Sequence, residues 1–228
     1  MSQAITKPRG QRSGNRERII EAAIELINLH GANIGTAQIA EHTGISPGNI
    51  YYYFNNFSEI ALEIVNQLRS ELLDILALPA FGPVMPAQAV NYYCNGGAIL
   101  WRYRFVISAG HELAHRSPEL ENSFRELTNE GIEAIRRLLD NLFEHNPGPV
   151  RVDRESCDYL AESMWVLWSA WPRHAEIRSS PDQTSPQEIA RGLQKGAFML
   201  APYIDESFYR QVDEGLAKYI SNLDGPSP

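Results

Sequence analysis

Cysteine is scarce in this chain, which has only Cys94 and Cys157 among its 228 residues. Two cysteines cannot build the disulfide framework of a small secreted protein, and both stand in helical patterns, as reduced buried thiols do. The chain also lacks an apolar run of membrane-spanning length, and its basic, polar start has no apolar signal segment. These absences predict a cytoplasmic protein with no membrane partner.

Strand-like alternation of polar and apolar residues does not persist anywhere, and helical periodicity takes its place. The 43% of apolar residues suffice for a real core. Gly31 is expected to end the first helix, and Ser58 to cap the start of the fourth. The fold class predicted is all-α, with helices near 16–30, within 36–54, and near 58–78, 87–115, 118–145, 153–177, 186–203 and 205–222.

The stretch Thr36–Phe54 has the pattern of two short helices joined by a tight turn. Ala40 is small where the helices must cross, and Gly44 can adopt the left-handed conformation through which the chain leaves the first helix. Ser46 and Pro47 then form an N-cap followed by a first-turn proline, a strong helix-start signal. The stretch predicts a helix-turn-helix.

The second helix of this motif has an outer face that a buried helix would not need. Helical spacing directs Ile50 and Phe54 inward. Asn49 can pair bidentately with adenine in the major groove, and Tyr52 can pack on a thymine methyl. The outward set comprises Pro47, Gly48, Asn49 and Tyr52, with part of Tyr51 and Tyr53. A half-buried helical hairpin is the alternative.

Charge is distributed unevenly along the chain. The net charge is −8, but residues 1–18 carry five basic side chains and one acidic side chain, so they hold +4 and the remainder −12. A basic end on an acidic body suits a protein that places that end on phosphates. We therefore expect residues 1–14 to form a flexible basic arm, and Arg12 and Arg16 to contact DNA. A solubilising tail would have a similar composition.

The run IIEAAIELINLHGANIGTAQIAEHTGISPGNIYYYFNN resembles the N-terminal domain of the TetR family of bacterial transcriptional regulators, over roughly residues 16–64. The resemblance implies a homodimer with a DNA-binding head (15–56), followed by a helical domain (57–228) that binds a small molecule and dimerises. Family members usually carry a phosphate-binding lysine where this chain has Phe57. By position, the implied DNA contacts are Thr36, Pro47, Gly48, Asn49, Tyr51, Tyr52 and Tyr53.

Aromatic side chains are concentrated in two body segments, and three tryptophans there share roughly one helix face at spacing i, i+3 and i+6. A ligand cavity and an ordinary core or dimer seam explain this equally well. We predict an apolar or aromatic ligand between the two segments, and a dimer seam around 153–177 and 186–203. The predicted ligand residues are Trp101, Arg102, Phe105, His111, Trp165 and Trp168, with Arg104 as a further candidate for a polar contact.

Residues 111–115 read HELAH, the HExxH arrangement of zinc hydrolases. Three fixed positions recur by chance, and Pro118 ends or bends the helix almost at once, so His111 and His115 are better interpreted as polar groups near a cavity rim or helix end. We predict a transcriptional repressor that binds operator DNA and leaves it when a small molecule binds. We expect no enzymatic activity and no cofactor. The alternatives are a zinc-dependent hydrolase and a regulator that binds a protein partner instead of an effector.

Overall fold

The computed structural model describes residues 9–179 and 184–223, with side chains for 14–178 and 184–223. The described residues form eleven α-helices and a 3-10 helix, and contain no β-strand, which confirms the all-α class. The helices are α1 (Arg9–His30), α2 (Thr36–Thr43), α3 (Pro47–Tyr53), α4 (Phe57–Ile75), α5 (Pro86–Arg102), α6 (Arg104–Ser108), α7 (Gly110–Ala114), α8 (Pro118–His145), α9 (Arg154–Ser179), α10 (Pro186–Leu200), the 3-10 helix (Ala201–Tyr203) and α11 (Glu206–Asn222).

Several helix ends differ from the prediction. The first helix starts at Arg9, ahead of the expected start near residue 16, so it includes part of the predicted arm; residues 1–8 of that arm lie outside the described residues. The helix α4 is capped by Asn56 rather than Ser58, because the Asn56 Oδ1 accepts a hydrogen bond of 3.0 Å from the Glu59 backbone N–H.

The expected continuous helix over 87–115 is wrong, because the chain bends twice and forms α5, α6 and α7. The first bend is at Tyr103, whose side chain is completely buried and whose hydroxyl donates to Glu71 Oε1 at 2.9 Å. The second bend precedes Gly110, where an added Cβ would lie 3.2 Å from the Phe124 ring. The chain therefore bends at these two points, because the bends bury Tyr103 and pack α7 closely on α8.

The head consists of α1, α2 and α3 packed around apolar side chains. Ile20, Ile27, Ile39 and Ile50 are buried there, and Gly31 ends α1 with a φ of 72°. This core continues into α4 and then into α5 and α6, through residues such as Ile64. The head is therefore packed directly against the body.

The helix α4 joins the head to the body and is fastened to α8 by polar contacts. The Arg69 guanidinium donates to both oxygens of Glu130 and, at 2.6 Å, to Glu126. The buried Ser123 donates to Asn66 Oδ1 at 2.9 Å. These contacts hold one face of α4 on α8, while another face of α4 lines the interior of the body.

None of the helices in the described part of the chain is long and apolar enough to cross a membrane.

Candidate DNA-binding surface and internal cavity

The turn between α2 and α3 has the geometry that the sequence predicts. Gly44 follows α2 with a φ of 67°, in the left-handed region that favours glycine. Ile45 is buried beneath the turn, and Pro47 is the first residue of α3. Ser46 is the N-cap, as predicted, but its side chain makes no capping hydrogen bond; its carbonyl oxygen accepts from the backbone N–H of Asn49 at 2.9 Å.

The outer face of α3 is open to solvent, as the helical spacing predicts. Ile50 and Phe54 are buried, whereas Tyr51 and Tyr52 are 54% and 62% exposed. Pro47 and Gly48 are exposed, and Asn49 and Tyr53 are half-buried. The half-buried Thr36, at the start of α2, shares a hydrogen bond of 3.3 Å with the Tyr51 hydroxyl. Six of the seven predicted contact residues thus lie on α3, and this hydrogen bond joins the seventh, Thr36, to them.

The basic residues beside the head are partly engaged within the protein. Arg16 makes two 2.9 Å contacts with the carboxylate of Glu63 on α4, and this hydrogen bonding holds the pKa of Glu63 below its ordinary value. Arg18 donates to the carbonyl of Thr43 at 2.9 Å. The Arg12 side chain lies outside the described residues. Arg16 therefore joins α1 to α4 through Glu63, and this role does not depend on a contact with DNA.

Phe57, which replaces the lysine usual in the family, is a buried residue at the start of α4. The guanidinium of Arg116 lies 4.9 Å from the centre of its ring, and the same guanidinium donates to the carbonyl of Ala32, just after α1. Arg116 lies between α7 and α8. A cation from the body thus packs over this side chain, in a contact that joins body and head.

The body encloses a cavity of about 480 Å³. Its wall is mostly apolar and aromatic, and Leu68 and Leu72 of α4, with Leu76 directly after that helix, form one side of it. The polar members of the wall include His111 on α7 and Arg125, Thr128 and Asn129 on α8. Other wall residues are Tyr92, Tyr93, Ile99, Leu100, Phe124, Leu138, Leu139, Met164, Trp165, Trp168 and Leu193. A cavity of this size and lining suits a small organic molecule.

Three of the six predicted ligand residues, His111, Trp165 and Trp168, line this cavity. The other three do not: Trp101 and Arg102 end α5 on a side that faces away from the cavity wall, and Phe105 follows the bend on α6. Arg102 pairs with Glu21 of α1 at 2.5 Å, and Phe105 packs against the core that the head and body share. The Arg104 guanidinium lies 4.0 Å from the centre of the Trp101 ring. This contact holds both side chains away from the cavity wall.

Sequence reasoning missed the contribution of α4 to the cavity. Leu68, Leu72 and Leu76 are spaced i, i+4 and i+8, a stripe that reads as ordinary core packing in a sequence. Tyr93, an aromatic residue of α5 outside the predicted ligand set, also lines the cavity and packs edge-on against Trp168 with ring centres 5.9 Å apart. Burial raises the pKa of the Tyr93 phenol well above its ordinary value, so this hydroxyl is a neutral group.

The three tryptophans of α9 each lie against a glycine of a neighbouring helix. A Cβ added to Gly131 of α8 would come within 2.2 Å of the Trp165 ring, and one added to Gly192 of α10 within 2.3 Å of Trp171. Gly196 has the same relation to Trp168, at 2.8 Å. These glycines make room for flat rings between helices, which positions Trp165 and Trp168 at the cavity wall.

The HELAH segment does not form a metalloprotease site in this structure. The Nε2 atoms of His111 and His115 are 3.2 Å apart, at the end of the short helix α7. No group of three or more potential metal-ligating side chains occurs among the residues described. A hydrolytic zinc site needs three protein ligands and an open position, so the geometry does not support the hydrolase alternative.

A helix-turn-helix with an open recognition helix, joined by α4 to a helical body, is the architecture of a DNA-binding regulator. Family comparison agrees. The family described as bacterial regulatory proteins, tetR family, matches residues 19–64, and the one described as bacterial transcriptional repressor, TetR, matches residues 67–212. The chain belongs to the TetR family of bacterial transcriptional regulators, which confirms the resemblance carried by its N-terminal run.

Individual relatives agree with this assignment. The HTH-type transcriptional regulator BetI of Escherichia coli O17:K52:H18 is 29% identical over 176 residues, which span 70% of this chain and 83% of that protein. A TetR-family regulator from Marinobacter aquaeolei VT8 superimposes with a TM-score of 0.79 at 26% identity, over 90% of this chain and 98% of its own. SmeT, the repressor of the Stenotrophomonas maltophilia multidrug efflux pump SmeDEF, shares the fold, with a TM-score of 0.59, 18% identity, and coverage of 85% and 92%.

Proposed function

We propose that this regulator is a homodimeric repressor in the cytoplasm that leaves its double-stranded operator when a small, largely apolar or aromatic molecule enters the cavity. The observation that carries this proposal is the position of α4. The same helix holds Phe57 and Ile60 in the core of the head and presents Leu68 and Leu72 to the cavity. A molecule that fills the cavity therefore meets the helix on which the head is mounted.

The response follows from differential affinity for two positions of α4. A ligand that fits better when α4 is displaced shifts the population towards that position, by as much as its preference allows. In a dimer, two recognition helices must reach successive major grooves about 34–36 Å apart. Because Arg16 joins α1 to α4 through Glu63, displacement of α4 moves the head and changes that separation.

The wall of the cavity limits the chemistry of the ligand. Apolar and aromatic side chains dominate it, so most of the ligand must be apolar or aromatic as well. The polar groups of the cavity wall, such as His111, Thr128 and Asn129, lie on α7 and α8. A polar group of the ligand would therefore face these helices. Arg125 at the same end is already bonded to Glu121 at 2.8 Å, which favours a neutral polar group over an anion.

Exposed apolar side chains on α9 and α10 support dimerisation through these helices, as the sequence led us to expect. Ile177 and Phe198 are 77% and 69% exposed, and Tyr159 and Val166 are also exposed. The positions 159, 166 and 177 are separated by seven and eleven residues, so they fall on one face of α9. Large apolar side chains exposed in this way are what a homodimer seam would bury.

The proposal is tested with an operator selected from a random DNA pool and a ligand found by thermal-shift screening of apolar and aromatic metabolites. The ligand should lower operator affinity and change tryptophan fluorescence. Trp165→Ala should weaken both effects while leaving DNA binding intact, because Trp165 lines the cavity. Trp101→Ala is the matched control, since Trp101 lies outside the cavity wall, and it should keep the response to the ligand.

Two outcomes would contradict the proposal. If Trp165→Ala yields monomers that no longer bind DNA, the tryptophan belongs to the dimer seam and not to an effector site. If no screened compound alters operator affinity but a protein captured on the body does, the regulator responds to a protein partner.

A further inference from the structure

The HELAH segment takes no part in the DNA-binding surface, yet it has a defined geometry. His111 lies in α7 and His115 follows its last turn, where the His115 backbone N–H donates to the His111 carbonyl at 3.3 Å. This turn aligns the two side chains, with Nε2 atoms 3.2 Å apart and ring planes at 82°. Both residues are exposed, and among the described residues neither Nε2 has another hydrogen-bond partner.

Two imidazole nitrogens at this separation fit the coordination sphere of a transition metal. Zinc lies about 2.0–2.1 Å from a histidine nitrogen. An ion at that distance from both Nε2 atoms would see them at an angle of about 100°, near the tetrahedral value. The i, i+4 spacing alone places side chains on one helix face, but here the two Nε2 atoms also lie close enough together to share one ion.

We propose that His111 and His115 bind a divalent transition-metal ion, such as Zn²⁺ or Ni²⁺, at the mouth of the cavity. Imidazole is a preferred ligand of these ions. Since the described residues provide no third ligand nearby, water completes the coordination, and the ion exchanges with solvent as it would not in a closed structural site. The site is independent of the proposed organic effector and would exist even if that effector did not.

The position of the pair gives the bound ion a consequence for the rest of the molecule. His111 lines the cavity, and Arg116 directly follows His115. Arg116 donates to the Ala32 carbonyl and packs over Phe57, both beside the head. An ion that joins the two histidines therefore stiffens the segment between the cavity and this contact.

Calorimetric titration of the tag-free, full-length protein with Zn²⁺ tests the site. The wild-type protein should bind one ion per chain at this position, and His111→Ala and His115→Ala should each weaken that binding by at least about tenfold, because a chelate is reduced to a single ligand. His42→Ala is the matched control. His42 is also exposed and lies 3.0 Å from the Glu25 carboxylate, and its loss should leave the affinity unchanged.

Electron paramagnetic resonance with Cu²⁺ as the probe gives a second readout that does not depend on affinity. The wild-type spectrum should show coupling to two histidine nitrogens, and each single variant should lose one of them. Unchanged Zn²⁺ affinity in both variants, a loss of binding in His42→Ala, or a Cu²⁺ spectrum without two-nitrogen coupling would each overturn the proposal. Circular dichroism of the metal-free variants checks that they are folded.

Discussion

At the scale of single residues, Asn49 is the side chain of α3 whose amide can both donate to and accept from one base. It is half-buried beside exposed residues, and its amide has no hydrogen-bond partner among the described residues. An asparagine in the major groove can pair with adenine through two hydrogen bonds. We therefore predict that Asn49→Ala costs about 1–3 kcal/mol on the operator and much less on random DNA, as measured by fluorescence anisotropy.

The exposed Asn222, at the end of α11 and remote from the head, provides a control substitution of the same type. Asn222→Ala should bind both DNAs as the wild-type protein does. Equal losses on operator and random DNA in Asn49→Ala would instead assign Asn49 to the phosphate backbone.

A second prediction at this scale concerns the packing of Trp171 on Gly192. Trp171 is buried and donates from Nε1 to the Glu188 carbonyl at 2.7 Å, so its ring cannot move away from an added methyl group without losing this bond. Gly192→Ala should lower the free energy of unfolding by about 1–3 kcal/mol. Gly96 of α5 has open space around its Cα, so Gly96→Ala should raise it by about 0.5–1 kcal/mol. Urea unfolding measures both, and equal effects would refute the packing argument.

At the scale of elements, the link between α7 and the head is the contact of Arg116 with Ala32 and Phe57. If this contact carries part of the response, Arg116→Ala should leave ligand affinity unchanged and reduce the effect of ligand on operator affinity by about 0.5–2 kcal/mol. The measurement is operator affinity with and without saturating ligand. Arg210→Ala, which removes only an exposed pair with Glu206 within α11, should leave the coupling intact.

An unaltered ligand effect in Arg116→Ala would mean that α4 transmits the response without α7. The contacts of α4 make this a meaningful alternative, because Arg69 fastens it to α8 and Arg16 fastens it to α1.

At the scale of the whole molecule, the proposed dimerisation through α9 and α10 would determine whether two heads can reach one operator. A charge placed at the centre of an apolar seam is desolvated without a partner, so Phe198→Glu should give monomers in sedimentation velocity and lose most operator affinity. Phe81, 94% exposed on the α4–α5 connection, is the control, and Phe81→Glu should remain a dimer that binds operator. A dimeric Phe198→Glu protein would place the seam elsewhere.

Local patterns in the sequence determined the head. Gly44, Ser46 and Pro47 act through backbone conformation, and the burial of Ile50 and Phe54 follows from helical spacing, so a short stretch of chain contains nearly all the information. The all-α class was determined in the same way, because periodicity is a property of each helix alone. The family assignment also rested on this local run, and the match over residues 67–212 extends it to the body.

The cavity, in contrast, was decided only by the tertiary structure. Its wall combines residues from every helix between α4 and α10, and no local pattern distinguishes Leu72 facing a cavity from Leu72 facing a core. The bend at Tyr103 depends on a partner 32 residues away, Glu71, and it leaves Phe105 against the core shared by head and body, outside the wall. Such contacts depend on how helices pack together, and helix packing is set by distant side chains that a reading of each segment cannot bring together.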